Sequence, residues 1–342
     1  MKKLIVSALL LSAFILPSGA VTADNNTPAA KKAQGQQLVA LLPASDGVAV
    51  IDVKRFFADG MPRLLSGNTA FLAEITGKID EIQTRTGIDP RQFEYAAVGV
   101  SARKLGPKKY DMDPVVILRG QANAAGLIAA GKVAANGKYR EERVGDKAIY
   151  IFSAKDIAAQ SKAAPNVADK VAKELSEVAV TALDSVTLAV GDPARVRQTV
   201  EARTKVGTDI IGFLARKEGG IVNFAAKAPE GMSAFLPLDN DELGRNIDAI
   251  RYVFGIFDVT ADGAAASVTA KTIQNAQAVS LSETLQGLQV LGKALLGSSK
   301  APAKQALVRL IDAAKITNAG SEVSVDLRVP QADIDILVSK IK

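Results

Sequence analysis

The chain has no histidine, no cysteine and no tryptophan in 342 residues. Without imidazole or thiol groups, Ser-His-Asp and Cys-His catalysis are excluded, as are the usual zinc sites and thiol redox chemistry. The lack of cysteine also removes disulfides, so stability has to come from buried apolar surface. Aromatic residues make up only 5% of the chain. Charge is nearly balanced, with 42 Lys and Arg against 36 Asp and Glu for a formal net charge of +6. Removing residues 1–23, which carry Lys2 and Lys3 and no acid, leaves about +4. Lys104, Lys108 and Lys109 lie close together, but no aromatic residues are interleaved among them to stack on bases, so no nucleic-acid partner is expected.

What is present begins with a leader. Lys2 and Lys3 form a positive n-region, and Leu4 to Pro17 is an apolar stretch shorter than the roughly 20 residues of a membrane span. Small residues ending at Ala20 or Ala23 offer cleavage sites, of which Ala23 fits better. No Cys follows the apolar stretch, so lipid attachment at that point is chemically closed. Residues 1–23 therefore read as a signal peptide, which places the mature chain in the periplasm or outside the cell with no transmembrane anchor after cleavage.

Residues 24–37 are Asn, Thr, Pro, Ala, Lys, Gln and Gly with almost no large apolar side chain, and read as a flexible tail. Val48 to Val53 has the β-branched content of a strand. Phe71, Leu72, Ile75, Ile79 and Ile82 recur at helical steps up to Gly87, and Asp89-Pro90 opens a capped turn. Strands at 95–102 and 114–119, a helix at 123–135 and a hairpin of 139–144 with 147–152 around Gly145-Asp146 follow. Residues 153–184 read as mainly helical, 185–190 as a strand, and Asp192-Pro193 as a helix start. Further on come strands at 252–259 and 266–272, then a helix capped by Asn275 with Leu281, Leu285, Leu288, Leu291 and Leu295 on one face. After a second helix, a strand at 322–329 and a terminal helix complete the chain. The element order of the first half, 38–180, recurs in the second, 181–342. The fold class expected is α+β, in two related halves, each a mainly antiparallel sheet with helices packed on one face.

Leu42-Pro43-Ala44 running into the strand at Val48, with Thr86-Gly87-Ile88-Asp89-Pro90 after the first long helix, resembles uncharacterised exported bacterial proteins that carry both segments. The resemblance implies export and an α+β fold and brings no functional residue with it.

Several strings approach known chemistry and fall short. Ser101-Ala102-Arg103-Lys104 has the S-x-x-K form but ends a strand, where residues three apart point to opposite faces. Asp239-Asn240-Asp241-Glu242 is the densest oxygen cluster, yet it lacks calcium-loop spacing and reads as a helix cap. Asp111 and Asp113 read as solvated charges in a loop. Gly126 to Lys132 and Gly287 to Lys293 begin Walker-like strings, but Val133 and Ala294 replace the magnesium-binding hydroxyl, and both strings fall in helices. Gly219-Gly220 precedes a strand rather than a helix N-terminus. The leucine face of the 275–296 helix reads as core, with a ligand groove as the alternative. No catalytic, cofactor-binding or metal-binding residue is nominated. The expected role is a non-catalytic binding or structural one in the cell envelope, toward an unidentified protein or ligand. The alternatives are a carboxylate-dependent hydrolase of envelope polysaccharide and a periplasmic carrier of an apolar ligand.

Overall fold

The computed structural model describes residues 28–106, 109–155, 176–217, 219–235, 241–339 and 341. The leader expected at residues 1–23 lies outside them. The protein is α+β, and its contacts divide it into two compact units. One takes the chain up to Arg55 together with Ala73–Arg103 and Asp111–Gly207, and the other takes Phe56–Leu72, Lys104–Tyr110 and Thr208–Lys342.

The first unit opens with α1 (Pro28–Val39). Residues 28–37, expected as part of a tail, are therefore helical, and the helix runs into Leu38 and Leu42, both fully buried. Those two side chains supply the apolar anchor that the preceding residues lack. Then come β1 (Gly47–Asp52), α2 (Thr69–Thr86), β2 (Phe93–Gly106), β3 (Lys109–Gly120), α3 (Ala124–Ala134), β4 (Tyr139–Val144) and β5 (Lys147–Ser153). After them stand β6 (Glu177–Ala182), β7 (Thr187–Gly191) and α4 (Pro193–Glu201). The strands lie in the order β1-β2-β3-β7-β6-β5-β4.

Local chemistry sets the boundaries. Asn68 Oδ1 accepts from the Phe71 amide at 3.0 Å at the start of α2, and Gly87, at φ +66°, ends it. Asn123 Oδ1 caps α3 through Gly126 N at 3.0 Å. The β4–β5 hairpin has Val144 opposite Lys147 with Gly145 at φ +60°, as a two-residue turn requires. Asp192 Oδ1 accepts from Ala194 N at 2.8 Å and Arg195 N at 3.1 Å, with Pro193 as the first residue of α4.

Two expectations change here. Residues 177–182, read as part of a helical stretch, form β6 instead, because Val178 and Val180 are buried between β5 and β7, where β-branched side chains pack well. This strand and β7 pair with β5 and β3, so the chain changes unit at Gly207/Thr208 rather than near residue 180. The second change concerns 103–113, expected as a loop, most of which extends β2 and β3.

The second unit contains α5 (Thr208–Leu214), β8 (Val222–Lys227), α6 (Asp241–Asp248), β9 (Ile250–Thr260) and β10 (Gly263–Thr272). It continues with α7 (Asn275–Gly297), α8 (Pro302–Ala313), β11 (Lys315–Ala319), β12 (Glu322–Pro330) and α9 (Gln331–Val338). Its strands lie in the order β11-β12-β10-β9-β8 and pair antiparallel throughout. The start of α7 is capped one residue earlier than expected, by a Gln274 amide donating to Gln277 Oε1 at 3.0 Å.

The period-two alternation of Glu322-Val323-Ser324-Val325-Asp326-Leu327-Arg328-Val329 divides this sheet into two faces. On the apolar face, Val323 packs with Ile250, Ala278 and Leu281, while Val259 and Ala264 pack with Ile334 of α9. The longer helices α7, α8 and α9 collect there. On the other face Thr269 meets Ser324 at 2.8 Å, and Glu322 takes a two-pronged pair from Arg216, both contacts at 2.7 Å, with Lys271 at 3.3 Å. Short α5 covers part of that face, where Phe213 stacks on Phe254 with centroids 4.7 Å apart.

Arg216, and after it Lys271, holds the Glu322 carboxyl below its ordinary value of 4.5. A carboxylate lowered in the folded state adds stability above its unfolded value and loses it as pH falls through the folded one. Glu322→Gln is therefore expected to cost about 1 kcal/mol at neutral pH and progressively less below the ordinary carboxylate range. Urea unfolding followed across that range checks this, and a cost independent of pH would contradict it.

Candidate functional site

Among the described residues, no group of three or more Asp or Glu side chains is placed to hold a metal ion. Ser101 lies on β2 with its Oγ 3.5 Å from Asp46, and Lys104 stands three residues along the same strand. Asp111 and Asp113 are on β3 rather than in a loop and face Arg103 at 2.9 and 3.7 Å, because the strand carries them toward that side chain. The Asp239–Glu242 cluster and Lys108 lie outside the described residues or side chains. Both Walker-like strings are helical, in α3 and α7, and Gly219-Gly220 precedes β8.

A cleft of about 420 Å³ in the second unit is lined in part by Asp59, Arg63, Ser66 and Gln331. Asp59 is the one carboxylate in that lining, whereas glycoside hydrolysis needs a facing pair. The polar groups also serve each other. Gln331 Nε2 donates to Ser66 Oγ at 2.9 Å and to Asp335 Oδ1 at 2.8 Å, and Ser66 Oγ donates to the Arg63 carbonyl at 2.8 Å.

Sequence reasoning missed one constellation. Lys217 Nζ donates to Ser267 Oγ at 2.6 Å, and Ser267 Oγ in turn donates to Asp326. Ser267 and Asp326 sit directly opposite in the β10–β12 register, which strand alternation could have disclosed. Lys217 arrives from the loop after α5, for which the sequence carries no signal. The hydroxyl relays an ion pair and braces the polar face, with its donor and acceptor capacity both engaged.

The feature without such a use is on α7 and α8. The leucine stripe begins as core, with Leu281 3% exposed and Leu285 against the same cluster. It then leaves the core, since Leu288 is 44%, Leu291 52% and Leu295 71% exposed. Val290 is 68% exposed and, at about 100° per residue, lies on the other side of the helix. On α8, Ala306 is buried while Leu307 is 40% exposed. The fourteen residues Thr284 to Gly297 hold a single charged side chain, Lys293. Large apolar side chains exposed together along one stretch of helix are a candidate interaction site.

The hairpin of α7 and α8 is held in place from within. A Cβ on Gly292 would come 3.2 Å from Ile311 Cδ1, so the helices approach closely there. Gln289 Nε2 donates to the Ala314 carbonyl at 3.0 Å, and Lys293 pairs with Asp312. Arg309 pairs with Asp333 of α9, which tethers α8 to the rest of the unit.

No family model matches the chain, and no curated protein matches it. Among solved structures, two crystals of TP0453 align with it at a TM-score of 0.44. Crystal form I covers 88% of this chain and 96% of its own at 8% identity. Crystal form III covers 89% and 98% at 10% identity.

Proposed function

We propose that this is an exported, non-catalytic protein of the cell envelope that holds a partner on the exposed apolar side chains of α7 and α8. One observation carries the reading. The leucine stripe runs beyond the sheet that buries its first two turns, and the second half of α7 keeps its apolar side chains in water. Leaving Leu291 and Leu295 52% and 71% exposed forgoes about 1–2 kcal/mol per side chain, which an occupant recovers. Residues 1–23 support export, and the absence of His and Cys supports holding over conversion. A duplicated origin is supported by the order of β2-β3-α3-β4-β5 and of β9-β10-α7-α8-β11-β12. In this view the β6–β7 hairpin has entered between β3 and β5, whereas β10 and β12 pair directly.

The test expresses the chain with its leader and separates soluble from envelope-bound material. The wild type is expected in the envelope fraction, and Leu291→Gln with Leu295→Gln is expected to be released, with its urea midpoint unchanged. Equal partitioning of the two would contradict the reading.

A further inference from the structure

We infer that the occupant of the α7–α8 face is an anionic lipid surface, with the helices lying shallowly among the headgroups. This rests on the docking reading above and names its partner.

Charge singles out the lipid. Between Thr284 and Ile311 the sequence has Lys293, Lys300, Lys304 and Arg309; Lys293 pairs with Asp312 and Arg309 with Asp333, which leaves Lys300 and Lys304 as the uncompensated charge beside the leucines. Lys300, Lys304 and, just beyond, Lys315 are exposed and have no ion-pair partner among the described residues. Long basic side chains beside apolar ones suit a helix in the plane of a bilayer, where the stems follow the apolar surface and the charges reach anionic headgroups.

Two other occupants fit less well. A second copy meeting through the same face in a two-fold contact would bring Lys300 and Lys304 toward their own counterparts, with no free acid between Thr284 and Ile311 to pair with them. A small apolar ligand needs an enclosing hollow, whereas Leu288, Leu291 and Leu295 stand open to solvent at 44%, 52% and 71% exposure. Among the described residues no helix is long and apolar enough to cross a membrane. The apolar half of α7 spans only about 21 Å, which suits shallow seating.

The experiment is vesicle flotation of the chain starting at Asp24, since the apolar leader would itself bind lipid. Vesicles of phosphatidylcholine are compared with vesicles that also contain phosphatidylglycerol. The expected result is binding at least about tenfold tighter to the anionic vesicles, weakening as salt is raised. Leu291→Gln with Leu295→Gln should abolish binding to both compositions. Lys300→Gln with Lys304→Gln should reduce anionic binding by about tenfold and leave the weak neutral binding unchanged. Equal affinity for the two compositions, no binding to either, or an unaffected lysine variant would each overturn the inference. So would a leucine-dependent dimer in sedimentation. If vesicles do not bind while the leucine variant is still released from the envelope, docking stands and the lipid falls. If neither changes, both fall.

Discussion

Arg195→Met is expected to lower the stability of the first unit by about 1–3 kcal/mol, the range for leaving buried hydrogen-bonding groups without their partner. Arg195 on α4 is 5% exposed. Its guanidinium donates to Ser45 Oγ and to Gln198 Oε1, each at 2.7 Å, and its Nε is buried without an acceptor among the described residues. Ser45 Oγ passes the contact on to the Pro43 carbonyl at 2.9 Å, so the segment between α1 and β1 hangs on this arginine. Burial pulls the guanidinium below its ordinary value, while Asp113, Asp192 and Asp46 pull it back up. Asp113 is raised, first by burial and then by Asp192 and Asp111, with Arg103 and Arg195 opposing the rise. Methionine fills much of the volume but removes the positive charge and leaves Ser45 and Gln198 without their donor.

The pH dependence has a definite sign. A carboxyl raised in the folded state favours the fold below its unfolded value, and that contribution is lost as pH rises through the folded value. Removing Arg195 raises Asp113 further, so the cost should be largest at neutral pH and smaller as pH falls and Asp113 takes up a proton. Amide exchange of β5, β6 and β7 in urea reads the first unit alone, which matters because two units need not unfold together. The control is Arg197→Met. Its two-pronged pair with Glu142, at 2.7 Å for both contacts, is about one-third exposed on each side and should be worth about 1 kcal/mol or less. Equal costs for the two arginines would show that the Ser45 cluster is not buried in solution.

Along α7, Leu281→Ala is expected to cost about 2–5 kcal/mol and Leu295→Ala to stay within about 0.5 kcal/mol of zero. Both residues belong to one stripe in the sequence, fourteen positions apart. Leu281 sits with Ile250, Ala278 and Val323, and truncation there leaves a void that the β-sheet cannot close. Leu295 is 71% exposed and loses little packing, and alanine is at least as good a helix former. Exchange of the β9 and β12 amides in urea measures both. A cost at Leu295 as large as that at Leu281 would mean the end of α7 is already covered in solution, and its dependence on protein concentration would reveal a second copy as the cover.

The same helix shows how far the sequence could be read. Its period of 3.6 and its approximate limits follow from the spacing of leucines, but the spacing is identical where the stripe is core and where it is bare. Burial depends on where the facing sheet stops, and no local pattern encodes that. Strand β6 illustrates the converse. Glu177 to Ala182 follows an alanine- and lysine-rich stretch that favours helix, and its neighbours β5 and β7 override that preference by burying Val178 and Val180. The relay from Lys217 through Ser267 to Asp326 was half legible, since cross-strand register is periodic and loop position is not.

By itself the sequence determined the α+β class, the stop of α2 at Gly87, the start of α3 near Asn123, the capped start of α4, the β4–β5 hairpin and the exclusion of imidazole and thiol chemistry. Each of these depends on residues within a turn or two of one another, or simply on composition. Only the tertiary structure decided that α1 is ordered from Pro28, that the chain changes unit at Gly207/Thr208, that Arg195 is buried under Ser45, and that half of a leucine stripe faces water. Those outcomes depend on which distant segments arrive at a surface and how far they extend. Long-range packing sets that, and neither helical nor strand periodicity carries the information.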